Sequence, residues 1–314
     1  MKRVIITGGA GFVGNAVVRE LLAHGTEVWA VVRPGPRRGN GSRLEGLPVQ
    51  LVDCDLKNIL ELPQMMAERG FDAWYQFAWD GLFGDGLTDY HKQIANVEYV
   101  LNAICAASEL GCRKFIGSGS ISQYELQIES GLPNAGDKHR VYKTAKLACE
   151  YMGRSVAVEK NIDFIWPIIT NIFGVGETSP RLINSMIRNL QAGKHQALSE
   201  GEQFYDFIYI TDAAKAFRLI GEKGRGNRTY VIASGQAQPL KYFLNTVRDV
   251  VAPETELGFG EMKFNGIYLP REYYSTAALA EDTGFSPEVS FAEGIRRTAD
   301  WIKETEGSSP HGSV

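Results

Sequence analysis

The run I-I-T-G-G-A-G-F-V-G, from Ile5 to Gly14, constrains the fold more than any other stretch of the chain. Arg3 to Thr7 is a short run rich in β-branched residues, which reads as a strand. Glycines follow, and then an amphipathic stretch from Phe12 to His24 that stops at Gly25, as a helix does. At such a strand-to-helix junction Gly8, Gly11 and Gly14 permit a tight turn and a close approach of backbone to a pyrophosphate, both of which exclude a Cβ. The helix opened by Phe12 and Val13 points its free N–H groups and positive dipole end at the phosphates. The spacing is G-x-x-G-x-x-G rather than the usual G-x-G-x-x-G. A plain glycine-rich turn is the alternative, but strand and helix flank the motif as dinucleotide binding requires.

The same alternation continues downstream. Strands are expected at Glu27 to Val32, Val49 to Val52, Ala73 to Phe77 and Lys114 to Gly117, and at Phe164 to Ile169, which Pro167 interrupts. Helices are expected near Leu60 to Arg69, at Tyr90 to Leu110 and at Tyr142 to Lys160. Strands alternating with helices of this size imply a parallel sheet wound on both faces, an α/β fold. After Asn171 the rhythm changes to helices at Ser179 to Ala192, Leu240 to Val251 and Phe291 to Glu304, with short strands around Phe207 to Ile210 and Thr229 to Ile232. The expected organisation is a dinucleotide-binding domain over residues 1–169 and a smaller, mainly C-terminal substrate-binding lobe over 170–306, whose strands can interleave with the first domain. A polar tail over 307–314 follows.

The end of the second expected strand selects the dinucleotide. An NAD enzyme normally places a carboxylate there for the adenosine ribose hydroxyls, whereas this chain has Val32 followed by Arg33. A guanidinium binds a 2′-phosphate in bidentate fashion and a carboxylate repels it, so NADP is favoured over NAD. Arg37, Arg38 and Arg43 can assist or stand as solvated loop charges. Asp55 and Leu56, just past the third strand, are placed to meet the adenine, an ordinary turn aspartate being the alternative.

Tyr142 and Lys146 in V-Y-K-T-A-K-L-A-C-E are four residues apart, so a helix brings phenol and ammonium onto one face. A nearby cation favours the ionised phenol, whose ordinary pKa of about 10 then falls toward a range useful for proton transfer. Y-x-x-x-K by itself is weak, and an exposed Tyr packed on a Lys stem is the bland alternative. The order along the chain adds weight: nucleotide loop, serine-rich strand end at Ser118 and Ser120, then this helix.

Composition excludes several classes. A net charge of −4 over 314 residues, with basic and acidic residues interspersed, offers no field for nucleic acid. No apolar run approaches the roughly 20 residues of a membrane helix. Cys54, Cys105, Cys112 and Cys149 fall at no metal-ligand spacing, and Met1-Lys2-Arg3 leads straight into a strand instead of a signal peptide, so reduced thiols and a cytoplasmic location are expected.

With these residues in view, the chain resembles the extended short-chain dehydrogenase/reductase family, which contains nucleotide-sugar epimerases, dehydratases and ketoreductases. The likeness rests on T-G-G-A-G-F-V-G, Asp55-Leu56, Asn96, Ser120 four residues before Tyr124, Tyr142 and Lys146, N-I-F-G-V-G from Asn171, and Q-F-Y-D-F-I-Y-I-T-D-A-A from Gln203. It implies a Rossmann-type doubly wound sheet and a triad of Ser120, Tyr142 and Lys146. In that triad Ser120 would hold the sugar oxygen, Tyr142 would pass it a proton, and Lys146 would hold the nicotinamide ribose. A serine capping a turn is the alternative for Ser120. The resemblance also implies cofactor contacts from Ala78 and Ser118 and a substrate contact from Asn171, with a bland Asn turn as the alternative for the last. It further implies a homodimer built on the helices Tyr90 to Leu110 and Tyr142 to Lys160.

The departures bear on the substrate. Dehydratases of the family follow the triad hydroxyl residue with Asp and Glu, where this chain has Ile121 and Ser122, so elimination of water is disfavoured. Tyr205 stands where the family commonly has an arginine clamp on the diphosphate; Arg181, Arg188 or Arg271 could replace it or be solvated charges. Gln76-Phe77-Ala78-Trp79 replaces His-x-Ala-Ala, and the bulk of Trp79 is expected to reshape the sugar pocket. The leading expectation is an NADP-dependent reductase of a nucleotide-linked 4-keto-6-deoxy sugar. The runner-up is a nucleotide-sugar 4-epimerase holding NAD tightly, and a catalytically silent NADP-binding regulator is the reading from another class.

Overall fold

In a computed structural model the structure describes residues 1–35, 43–129 and 138–306. Strands β1 (Arg3–Thr7), β2 (Glu27–Val32), β3 (Gln50–Asp53), β4 (Ala73–Gln76), β5 (Lys114–Ile116) and β7 (Asp163–Ile165) form one parallel sheet in the order β3-β2-β1-β4-β5-β7. Successive side chains of a strand point to opposite faces, yet Val4, Ile5 and Ile6 are all fully buried, so both faces of the sheet are covered. This is the doubly wound Rossmann-type arrangement expected from the pattern. The order in which strands are added reverses between β1 and β4, and the loops leaving their C-terminal ends part there to open a crevice. Trp74, Phe115 and Phe164 stand in cross-strand register and stack at 6.4 and 5.9 Å between ring centroids.

The helices of this unit follow from local chemistry. Helix α1 (Phe12–Ala23) starts directly after the glycines. Helix α3 (Tyr90–Glu109) is capped by Asp89, whose carboxylate accepts from the His91 and Lys92 N–H groups, and it packs along α5 (Arg140–Glu159). The helix expected near Leu60 to Arg69 is cut short. A 3-10 segment at Leu56–Glu61 leads into α2 (Leu62–Met65), and Met66 is extended. The Arg69 guanidinium closes that end by donating to the carbonyls of Pro63 and Met66. Short strand β6 (Gly119–Ser120) is followed by α4 (Ser122–Glu129), a helix without an apolar period because the side chains it buries include Gln123 and Glu129.

The chain divides into two compact units, the first being residues 1–169, 214–232 and 277–285 and the second 170–213, 233–276 and 286–314. In the second unit β9 (Asn171–Phe173) pairs in parallel with β12 (Phe207–Tyr209). Helices α6 (Leu182–Gln191), α8 (Leu240–Val251) and α10 (Phe291–Glu306) surround a cluster in which Phe243 lies 5.0 Å from Phe207 and 4.8 Å from Phe291. Two small ladders complete it, β10 (Ala197–Leu198) with β15 (Gly258–Phe259) and β11 (Phe204–Tyr205) with β14 (Gln238–Pro239). Helix α7 (Ile210–Lys223) begins at the residue after β12, so the period switches from 2 to 3.6 with no loop between.

Residues 214–232 and 277–285 return to the first unit for a physical reason. Strand β13 (Val231–Ile232) pairs with β8 (Ile168–Ile169), which pairs with β6. Asp282, within α9 (Ala277–Thr283), accepts from the Tyr230 hydroxyl at 2.7 Å and lies 2.9 Å from Arg225. Among the described residues no helix is long and apolar enough to cross a membrane. All four cysteines are free thiols.

Candidate active site

At the end of β1, Gly8 takes a φ of +71°, and a Cβ there would stand 2.6 Å from the Ala78 nitrogen. Only glycine fits this position. The Ala78 N–H donates to Thr7 Oγ1, and the Gly11 N–H to Gly8 O at 2.9 Å, which folds the loop back onto the strand. A Cβ on Gly14 would stand 2.2 Å from Gly8 O, so its absence is what lets α1 close on the loop. Gly11, at the N-cap, carries no side chain to satisfy the first N–H groups of α1, so they remain available to an anion.

These residues border a cavity of about 820 Å³ lined by Gly8, Gly11, Arg33, Asp55, Leu56, Ala78 and Trp79. Phe12, Val13 and Gly14 form the first turn of α1 beside it. The glycine cradle, the free helix end and the guanidinium fit a dinucleotide. Arg33 and Asp55, read separately from the sequence, face each other: Arg33 Nε lies 3.9 Å from Asp55 Oδ2, and the guanidinium is 78% exposed. Asp55 also caps its 3-10 segment by accepting from the Lys57 N–H. Arg37 and Arg38 lie outside the described residues, and the Arg43 carbonyl accepts from Asn15 Nδ2.

Helix α5 delivers the phenol and the amine. Lys146 is buried, donates from Nζ to the Ser118 carbonyl at 2.7 Å, and places Nζ 5.9 Å from the centre of the Tyr142 ring and 3.6 Å from that of Trp79. Burial pushes its pKa down to about 7, against a smaller opposing effect of Cys149. The Cys149 thiol is itself pushed up to about 12 by burial. Tyr142 meets the Trp79 ring edge to face at 6.0 Å. Ser118, Tyr142, Lys146 and Trp79 therefore converge. The Ser118 carbonyl and the Trp79 ring hold the ammonium in place.

Ser120 sits on β6, against which α5 packs. Its Oγ accepts from the Ser122 N–H at 3.3 Å, and its own N–H donates to Gln123 Oε1 at 3.0 Å. Gln123, fully buried, also accepts from the Trp166 indole N–H and donates to Glu150. Sequence reasoning missed this residue, as it missed Tyr99 on the cavity wall and Gln93 on α3. A signal existed for one of them, since Gln93 and Asn96 place amides on a buried helix face that otherwise carries apolar side chains. Both hold the loop after β4. Gln93 donates to Gly81 O and Gly86 O and accepts from the Trp79 indole N–H, while Asn96 exchanges two hydrogen bonds with the Asp80 backbone.

In the second unit Asn171 and Tyr205 line a separate cavity of about 270 Å³ together with Arg181. Asn171 Nδ2 donates to the Asp206 carbonyl at 3.1 Å. The Asp206 carboxylate is fully buried and accepts from the Ser234 and Gln236 N–H groups, and burial raises its pKa. Of the three arginines weighed for the phosphate clamp, only Arg181 borders this cavity, with Nε 3.7 Å from Glu177. Arg188 pairs instead with Glu306, and Arg271 is exposed on a 3-10 turn.

Comparison with known proteins agrees with this architecture. The GDP-6-deoxy-D-mannose reductase of Pseudomonas aeruginosa is 24% identical over 315 aligned residues, covering 96% of this chain and 97% of the relative. Among solved structures, the UDP-glucose 4-epimerase of Thermotoga maritima with UDP-glucose superposes with a TM-score of 0.79 at 19% identity, covering 97% of this chain and 99% of that one. The Bordetella bronchiseptica enzyme WbmF in complex with NADH superposes with a TM-score of 0.77 at 18% identity, covering 98% and 93%. Residues 4–233 match the NAD dependent epimerase/dehydratase family. With the glycine cradle at the sheet's switch point and the Tyr142–Lys146 pair on α5, the chain belongs to that family, in the extended short-chain dehydrogenase/reductase group.

Proposed function

We propose that the protein reduces the carbonyl of a nucleotide-linked keto sugar, a 4-keto-6-deoxy sugar above all, using NADPH. The observation that carries this reading is the buried Lys146 ammonium beside the Tyr142 ring, next to a dinucleotide-sized cavity. A bound nicotinamide dinucleotide supplies hydride to the carbonyl carbon. The Tyr142 O–H donates its proton to the oxygen that gains the negative charge, and Lys146, when charged, stabilises the phenolate left behind. Ser120 donates its O–H to the same oxygen. Ile121 and Ser122 offer no acid–base pair for eliminating water, which favours reduction over dehydration. Asn171, Arg181 and Tyr205 are the proposed contacts to the sugar and diphosphate. NADPH consumption with a panel of nucleotide-linked 4-keto sugars tests the assignment: turnover with at least one is expected, and none with any of them would overturn it.

The 4-epimerase reading is favoured by one observation, the Arg33–Asp55 pair, because it sets a carboxylate 3.9 Å from the guanidinium that would take a 2′-phosphate. Arg33→Ala separates the two readings. For an NADP enzyme the dinucleotide Kd should rise about 10- to 100-fold, the loss of a charge-assisted bond, with NAD affinity held within about twofold. Isothermal titration with both dinucleotides gives the answer, and equal effects would remove Arg33 from 2′-phosphate recognition. A silent regulator is disfavoured by the intact Tyr142 and Lys146.

The reading includes a homodimer in a reducing, cytosolic compartment, which the four free thiols fit. Along α3 and α5 an apolar groove of about 730 Å³ runs between exposed Tyr90, Ile94 and Met152, a patch of the kind that a partner covers. Light scattering is expected to give twice the chain mass, and Ile94→Asp to shift the population to monomer.

A further inference from the structure

Trp79 belongs at once to the cavity wall and to the Tyr142–Lys146 pair. Its ring face lies 3.6 Å from the Lys146 Nζ, the distance of a desolvated cation–π contact, and Tyr142 meets it edge to face. The indole is not free to wander. Its N–H donates to Gln93 Oε1 at 3.0 Å, and the buried Gln93 amide is tied to the Gly81 and Gly86 carbonyls at 3.2 and 2.8 Å. Every polar atom of the Gln93 side chain is thereby used to set where the ring stands. Resting on the reductase reading of the same site, we propose that Trp79 is a positioning residue for Lys146, its π face holding the ammonium under the phenol and favouring its charged form, with Gln93 as the anchor.

Among the described residues, four elements present groups to Lys146. Helix α5 presents Cys149 and Tyr142, the loop after β5 presents the Ser118 carbonyl, the segment after β7 presents Trp166 at 5.9 Å, and the loop after β4 presents Trp79. Cys149, with its thiol at about 12, is neutral through the working range. Burial works against the ammonium, while the Ser118 carbonyl and the π face work for it. A charged Lys146 is the form that supports the Tyr142 phenolate, so loss of the face should show on the alkaline side of the activity profile.

Two substitutions separate this role from simple packing. Trp79→Phe keeps a ring face and loses the N–H; Trp79→Leu keeps an apolar side chain and loses the face. Phe should lose about threefold in kcat, less than Leu, because it keeps the ring face and gives up the Gln93 anchor. Leu should lose about tenfold or more in kcat with the dinucleotide KM within about threefold, and its alkaline limb should move down by about one pH unit. An NMR titration of lysine labelled at the ε-carbon follows the Lys146 resonance without turnover, so it stands even if no keto sugar is reduced. There the Lys146 midpoint should fall by about one unit in the Leu variant. A midpoint unchanged or raised in Trp79→Leu, a higher kcat in that variant, or a Phe variant as impaired as Leu would overturn the proposal.

Discussion

Tyr142→Phe is expected to lower kcat for the keto sugar by about 10²- to 10⁴-fold, the usual worth of a positioned proton donor. The substitution removes one oxygen and leaves the ring, so the edge-to-face contact with Trp79 at 6.0 Å persists and the walls of the dinucleotide cavity are untouched. Dinucleotide affinity should therefore stay within about threefold, and the loss should fall on kcat because a proton transfer made only in the transition state has gone. Steady-state NADPH oxidation, with fluorescence titration of the dinucleotide, reads both quantities. Turnover that survives undiminished would take Tyr142 out of proton transfer.

Lys146→Met is expected to abolish most turnover and yet make the chain more stable at neutral pH. Burial depresses the folded-state pKa of Lys146 from 10.5 to about 7. Below about pH 7 the folded chain must hold a buried charge that the unfolded chain holds in water, and the cost is fully present there. Between about pH 7 and the unfolded pKa near 10.4 the unfolded chain binds more protons, so the cost shrinks and stability rises with pH. A shift of this size sets an upper limit on the order of 5 kcal/mol. The Ser118 carbonyl left without its donor returns about 1 to 3 kcal/mol of it. A net gain of roughly 2 kcal/mol at pH 6, dwindling by pH 9, is the expected result of urea denaturation at the two values. The comparison stops at pH 9 because the Cys112 and Cys149 thiols, raised from 9.0 to about 12, make stability fall as pH rises above about 9. A variant less stable than the native chain at pH 6, or one whose gain does not vary with pH, would contradict the burial cost. Stability conceded at a functional lysine is a familiar trade.

Features that depend on neighbours in sequence were legible before any coordinates. The glycine loop between β1 and α1 and the four-residue spacing of Tyr142 and Lys146 are both local, and both stand where expected. Helices α4, α7 and α9 escaped the reading. Helix α4 buries amide and carboxylate side chains in place of an apolar stripe, and α7 follows its strand without a turn residue to announce it. The site showed the same division. Trp79 was noticed for its bulk, but its place over Lys146 depends on β4 and α5 being brought together by the sheet, and Gln123 reaches Ser120 and Trp166 only because β6 pairs with β8.

Residue order alone carries the parallel α/β class, the dinucleotide loop and the phenol–amine pair, because each is written in spacing over one strand-turn or one helical turn. Packing across the fold set Arg33 3.9 Å from Asp55, brought Arg181 and not Arg188 or Arg271 to the Asn171 cavity, and laid an indole over the lysine. Those contacts join side chains far apart along the chain, and their energies depend on distance and burial that only the packed sheet and helices set.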